Sequence, residues 1–75
     1  MSQELDARRL LCPLPVIRTQ DKIKTMHAGE RLVVICTDPG AKQDIPTWCR
    51  INGHHVIEII ESEWELTVVI EVGSK

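Results

Sequence analysis

Seventy-five residues suffice for one small domain spanning 1–75. They are too few to enclose a deep pocket, since a chain this short buries only about 60% of its unfolded surface. That counts against a self-contained enzyme with a large substrate and fits a carrier or an adaptor. Nine Lys and Arg against eleven Asp and Glu, with no Tyr or Phe, leave neither a basic stripe nor an aromatic stacking platform, which counts against direct nucleic-acid binding.

The N-terminus has no charged stretch leading into an apolar one, and no run approaches membrane-spanning length. A soluble, cytoplasmic protein with no membrane attachment is expected. Three cysteines without an export signal predict reduced thiols rather than a disulfide framework.

Along the chain, residues 1–3 read as a disordered start. Glu4 to Arg9 reads as a short strand with Leu5 and Ala7 on one face and Asp6 and Arg8 on the other. It delivers the chain to Cys12-Pro13-Leu14-Pro15, a thiol and two prolines at the start of a helical pattern. Proline is tolerated in a first helical turn, where its missing N–H costs nothing, and it pushes the preceding residue out of the helical region. Two registers follow: Cys12 as the N-cap with Pro13 the first helical residue, or a helix starting at Pro15 with Cys12 two residues outside it, the second being preferred. A free cysteine titrates near ~8.5, and a helix N-terminus contributes ~0.3–1 kcal/mol, so the expectation is a modestly acidified, accessible thiol. Arg8 and Arg9 would add to that shift if they lay near. An isolated free cysteine is more often a small buried hydrophobe, but the paired prolines at a helix start favour a presented one.

From Pro15 to about His27 the positions Val16, Thr19, Ile23 and Met26 share one helical face, with Gly29 as the stop and His27 on the surface. Arg31 to Thr37 carries the run Leu32-Val33-Val34-Ile35, expected as a central strand buried on both faces, with Cys36 in or near the core. Asp38-Pro39-Gly40 is a turn signal. A second helix spans about Ala41 to Asn52, with Ala41, Ile45, Trp48 and Cys49 on its apolar face. Pro46 fits only a first turn, so Asp44 is expected to cap the regular helix after a looser turn. Cys49 reads as structural. His54 to Glu61 and Glu65 to Val72 form a hairpin through Ser62 to Trp64, the last strand alternating as a sheet with one face on the core. His54 and His55 would point oppositely on a strand, and no CxxC or HxxxH spacing occurs, so no metal site is expected. The order β-α-β-α-β-β predicts an α+β fold, a two-layer α/β sandwich with two helices on one face of a four-stranded mixed sheet. Its first three strands run parallel and its fourth antiparallel.

Leu5-Asp6, Cys12-Pro13-Leu14-Pro15, Gly29-Glu30, Asp38-Pro39-Gly40-Ala41, Asp44-Ile45-Pro46 and Gly53-His54, in that order over nearly the whole length, resemble the TusA (SirA-like) family of sulfur carriers. The C-P-x-P element is the specific part. The resemblance implies that Cys12 carries sulfane sulfur as a persulfide, with Pro13, Leu14 and Pro15 supporting it. It implies a cysteine desulfurase or rhodanese as sulfur donor and a downstream acceptor protein, in tRNA thiolation, molybdenum cofactor supply, sulfur oxidation or thiosulfate use. It also implies the sheet order 1-2-4-3. No bound cofactor is expected, and one core accounts for the apolar residues, so the expected state is a monomer forming transient heteromeric complexes. Two other readings stand beside this one: a regulatory or docking module with Leu14 as its apolar anchor, and a small thiol redox protein pairing Cys12 with Cys36.

Overall fold

In the computed structural model, which describes residues 2–73, strands and helices alternate as β1 (Ser2–Ala7), α1 (Leu14–Ile23), β2 (Arg31–Cys36), α2 (Ala41–Ile51), β3 (His55–Glu61) and β4 (Leu66–Glu71). The four strands form one sheet in the order β1-β2-β4-β3. β1 runs parallel to β2, and β4 is antiparallel to both β2 and β3, so the first three strands share a direction as expected.

Registers are set by which residues must face the helices. Leu5 lies opposite Val34 and Ala7 opposite Cys36. Leu32, Val34 and Cys36 lie opposite Ile70, Val68 and Leu66, and all six are buried. Each helix covers this face with residues four apart, Pro15, Thr19 and Ile23 from α1 and Ala41, Ile45 and Cys49 from α2, all buried. The Thr19 hydroxyl, inside the core, donates to the Pro15 carbonyl at 2.8 Å, which removes the cost of burying it.

The structure departs from the sequence expectation at several points. Ser2 and Gln3 join β1 by pairing with Arg31 and Leu32 rather than forming a loose start; Met1 lies outside the described residues. β1 stops at Ala7 instead of Arg9, because the Arg8 N–H turns back to the Asp6 carboxylate at 3.0 Å and Arg9 adopts φ 68°. α1 ends at Ile23 rather than His27: the Thr25 and Met26 N–H groups make tighter bonds to Lys22 and Ile23, and the Thr25 hydroxyl also takes the Lys22 carbonyl. Gly29, at φ 90°, therefore lies in the turn that feeds β2, tied by its N–H to the Val72 carbonyl, and does not cap the helix. β2 is covered by helices on one face only, leaving Val33 half-buried on the other. Finally, α2 is continuous from Ala41 with Pro46 inside it, and Asp44 makes no cap. The turn at Asp38 to Gly40 launches this helix directly, through Ala41 N–H to the Asp38 carbonyl and Lys42 N–H to the Pro39 carbonyl. Pro46 thus removes one bond to the carbonyl of Lys42, an exposed residue, where water can substitute.

At its other end α2 closes as the sequence suggests. Gly53, at φ 81°, follows the Asn52 cap, with the His54 N–H on the Cys49 carbonyl and the Gly53 N–H on that of Arg50. His54 precedes β3, is buried, and stacks on Trp48 with ring centroids 5.3 Å apart. β3 is the exposed edge strand, with a bulge between Val56 and Glu58. Among the described residues no helix is long and apolar enough to cross a membrane.

Candidate functional site

Parallel pairing of β1 with β2 brings their carboxyl ends side by side, and the segments that leave those ends build the site. The chain leaving β1 is fixed to the one leaving β2 by two side-chain bonds, the Arg9 N–H to the Thr37 hydroxyl at 2.8 Å and the Cys12 N–H to the Asp38 carboxylate at 2.8 Å. Cys12 therefore sits between the start of α1 and the turn into α2. Its peptide bond to Pro13 is cis.

Helix α1 opens at Leu14 with Pro13 as its cap residue, a register between the two expected from the prolines. The Val16 and Ile17 N–H groups both reach the Pro13 carbonyl at 3.1 Å. Pro15 is buried in the first turn, whereas Pro13 and Leu14 are exposed. Next to the thiol in the chain, Leu11 and Leu14 are exposed by 72 and 42%, and Ile17 on α1 and Ile51 at the end of α2 by 43 and 74%. An open groove between the start of α1 and α2 is lined by Pro13, Val16, Gln43, Asp44, Thr47, Trp48 and Ile51.

The electrostatics of Cys12 overturn the expectation of a mildly acidified thiol. Burial pushes it up to about 12, and hydrogen bonds to Asp38 and Asp44, with the charges of both carboxylates, act in the same direction. The ~0.3–1 kcal/mol available from a helix N-terminus cannot offset that. Arg8, one of the cations expected to help, is instead engaged by Glu65 at 2.8 Å and Asp6 at 3.4 Å. Asp38 responds in the opposite sense: the thiol and the N–H groups of Cys12 and Gly40 hold its carboxyl below the usual range.

Sequence reasoning found Cys12 and its prolines but missed Asp38 and Asp44 as its partners. Asp38 was legible only as a turn residue; the clue lay in the parallel β1–β2 pairing, which places whatever follows β2 beside whatever follows β1. The other two cysteines lie elsewhere. Cys36 and Cys49 are fully buried, with thiols pushed up to about 11 by burial, Asp38 adding to the effect at Cys36. Among the described residues no group of three His, Cys, Asp or Glu is arranged to hold a metal ion.

The sequence matches the family described as Sulfurtransferase TusA over residues 3–72. It is 41% identical over 56 residues to the sulfur carrier protein TusA of Allochromatium vinosum, covering 75% of this chain and 74% of that one. A Neisseria meningitidis serogroup A relative is 36% identical over 70 residues, covering 93% of this chain and 95% of that one. The SirA-like protein of Desulfitobacterium hafniense superposes with a TM-score of 0.83 at 25% identity, over 99% of this chain and 100% of that one.

Proposed function

We propose, from the premise that the chain belongs to the TusA sulfurtransferase family, that it is a sulfur carrier which accepts sulfane sulfur as a persulfide on Cys12 and relays it to an acceptor protein. The donor is a cysteine desulfurase or a rhodanese, and the sulfur goes to tRNA thiolation, cofactor biosynthesis or sulfur oxidation. The observation that carries this reading is that Cys12 alone of the three cysteines is not buried. Pro13 and Pro15 fix the turn that presents the sulfur at little cost in hydrogen bonds. Leu14, exposed beside it, is an apolar anchor for the partner. A shallow surface of this kind leaves the rest of the machinery to those partners. A reducing, cytoplasmic setting suits a carrier whose three thiols are unpaired.

Loading proceeds by attack of the Cys12 thiolate on the outer sulfur of a donor persulfide. A bond forms between Cys12 Sγ and that sulfur, the donor's S–S bond breaks, and the electron pair leaves on the donor's cysteine. No net oxidation occurs. The test is intact mass spectrometry with peptide mapping after exposure to a rhodanese with thiosulfate or to a cysteine desulfurase with cysteine. A reducible gain of roughly 32 Da per sulfur, confined to Cys12 and absent from Cys12→Ser, is the expected result. Folded protein that takes up no sulfur from either donor, or takes it on Cys36 or Cys49, would overturn the reading. The burial of Cys36 gives a Cys12–Cys36 redox pair no support.

A further inference from the structure

The Asp38 carboxylate accepts the Cys12 N–H at 2.8 Å, and the nearby Cys12 thiol and Gly40 N–H help to hold its carboxyl below the usual range. Asp44, in the first turn of α2, adds a second carboxylate whose charge also favours the protonated thiol. Between them lies Gly40, whose φ of −63° and ψ of −26° any residue could adopt. Its bareness provides room instead, since a Cβ there would lie 3.3 Å from Cys12 Sγ and 3.4 Å from an Asp38 carboxylate oxygen.

Among the described residues neither Asp38 nor Asp44 takes part in an ion pair. On the segment leaving β1, Arg8 is drawn away by Asp6 and Glu65, and Arg9 makes no side-chain ion pair among the described residues. On α2, Lys42 pairs with Glu61 at 2.9 Å. The first turn of α1 carries no acidic residue, so the carboxylates that act on the sulfur come from the β2–α2 turn and from α2 alone. The free protein thus presents a thiol acted on by two carboxylates, with the exposed Leu11 and Leu14 next to it in the chain, the complement of a segment that carries a cation beside its own sulfur.

We infer that Asp38 and Asp44 make sulfur exchange at Cys12 selective for cationic partners. The two carboxylates hold the thiol proton in the free carrier, and a donor segment that sets an arginine or lysine against them frees the sulfur to react. The inference rests on the carrier reading of Cys12 and adds the chemistry of the partner. Asp38 and Asp44 are positioning residues, acting through Cys12. As the cation docks, the thiol proton passes to the partner's departing cysteine sulfur while Cys12 Sγ bonds to the partner's outer sulfur, so protons and electrons both balance.

The test uses the full-length protein and two short peptides, Arg-Cys-Arg and Glu-Cys-Glu, each blocked at both ends and supplied as a mixed disulfide with thionitrobenzoate. Release of the chromophore by the Cys12 thiolate reports the rate, with Cys12→Ser as the blank. The wild-type chain is expected to react at least about tenfold faster with the arginine peptide, with added salt eroding the preference. Asp38→Asn combined with Asp44→Asn should bring the ratio close to one and move the alkylation of Cys12 by iodoacetamide to lower pH, a shift that a purely structural role would not produce. Equal rates with both peptides in the wild type would overturn the inference, as would an unchanged preference in a natively folded double variant. Should Asp38→Asn fail to fold, Asp44→Asn decides alone: a reduced preference supports the inference and an unchanged one overturns it. Neither readout moves sulfur. Failure of every sulfur donor to load Cys12 would therefore sink the carrier reading without touching this result, and loading without charge preference would do the reverse.

Discussion

The chain uses cysteine in two regions, and comparing them separates two ways of raising a thiol. In the helix–sheet core, Cys36 and Cys49 are fully buried, and desolvation is the main cause that holds their protons on. At the carboxyl ends of β1 and β2, desolvation of Cys12 is joined by hydrogen bonds and charge from Asp38 and Asp44. The shifts have the same sign but different levers. Burial is reversed only by opening the core, whereas the charge of a rim carboxylate is offset by a countercharge arriving from solvent. A countercharge at the rim thus bears on Cys12 through both carboxylates, on Cys36 through the charge of Asp38 alone, and on Cys49 not at all.

The largest effect that can break this comparison is removal of the rim sulfur. Cys12→Ser is expected to abolish the sulfur adduct and to change unfolding free energy by no more than about 1 kcal/mol, since the site lies outside the main core. Urea melts run beside the mass spectra check both halves, and an adduct that survived would erase the distinction between the thiols. Ile45→Ala acts on the other region. Ile45 is fully buried between α2 and the sheet, so truncation should cost about 2–5 kcal/mol. For a domain of this size that lowers Tm by more than about 10 °C. Below the transition, the pH profile of Cys12 alkylation should stay where it is. A profile that moved with Ile45 would mean that core packing, not the carboxylates, governs the rim.

Much of the core was legible in the sequence because its signals are periodic. Leu66, Val68, Ile70 and Val72 alternate, and Thr19, Ile23, Ala41, Ile45 and Cys49 fall at helical spacing; all are buried. The sheet order followed from family resemblance alone, since no local pattern says that β4 inserts between β2 and β3. Pro46 misled because its cost was judged without its surroundings: it removes one bond at a solvated carbonyl, and the buried positions Ala41, Ile45 and Cys49 outweigh that loss. At the site, Cys12 and its prolines are contiguous and could be read. Asp38 and Asp44 are 26 and 32 residues further along, and their approach to the sulfur is a product of strand pairing that composition and spacing do not encode.

Alkaline titration sharpens the comparison from the core side. For Cys36 and Cys49 the folded-state value of about 11 lies above the ordinary ~8.5, so the native state holds these protons more tightly than the unfolded chain. Their contribution is therefore fully present below pH ~8.5 and is lost as pH rises from there to about 11, on the order of 3 kcal/mol for each thiol. Urea unfolding across that range should show stability falling with pH. Cys49→Ala, which removes one titrating group, should start lower and fall less steeply. A slope unchanged by Cys49→Ala would assign the alkaline loss to other groups.

The smallest perturbation tests the room beside the rim sulfur. Gly40 needs no unusual backbone angle, so the loss of a favourable N-cap residue is partly offset by the stiffer unfolded chain, and Gly40→Ala should shift stability by no more than about 1 kcal/mol. The new methyl would nevertheless sit 3.3 Å from Cys12 Sγ and 3.4 Å from the Asp38 carboxylate, closer than carbon and sulfur settle without strain. One of the two must yield by a few tenths of an ångström. Yielding by the sulfur turns it away from the line of attack on a donor, and yielding by Asp38 loosens the thiol's hydrogen bond; both alter the chemistry and leave the core alone. A misplacement of about 1 Å can cost on the order of a hundredfold in rate, so a shift this small should cost a few-fold in the rate of sulfur loading. Single-turnover loading measured beside a thermal melt separates the two effects. A rate that fell only in proportion to a lost folded fraction would show that Gly40 serves the start of α2 and not the sulfur beside it.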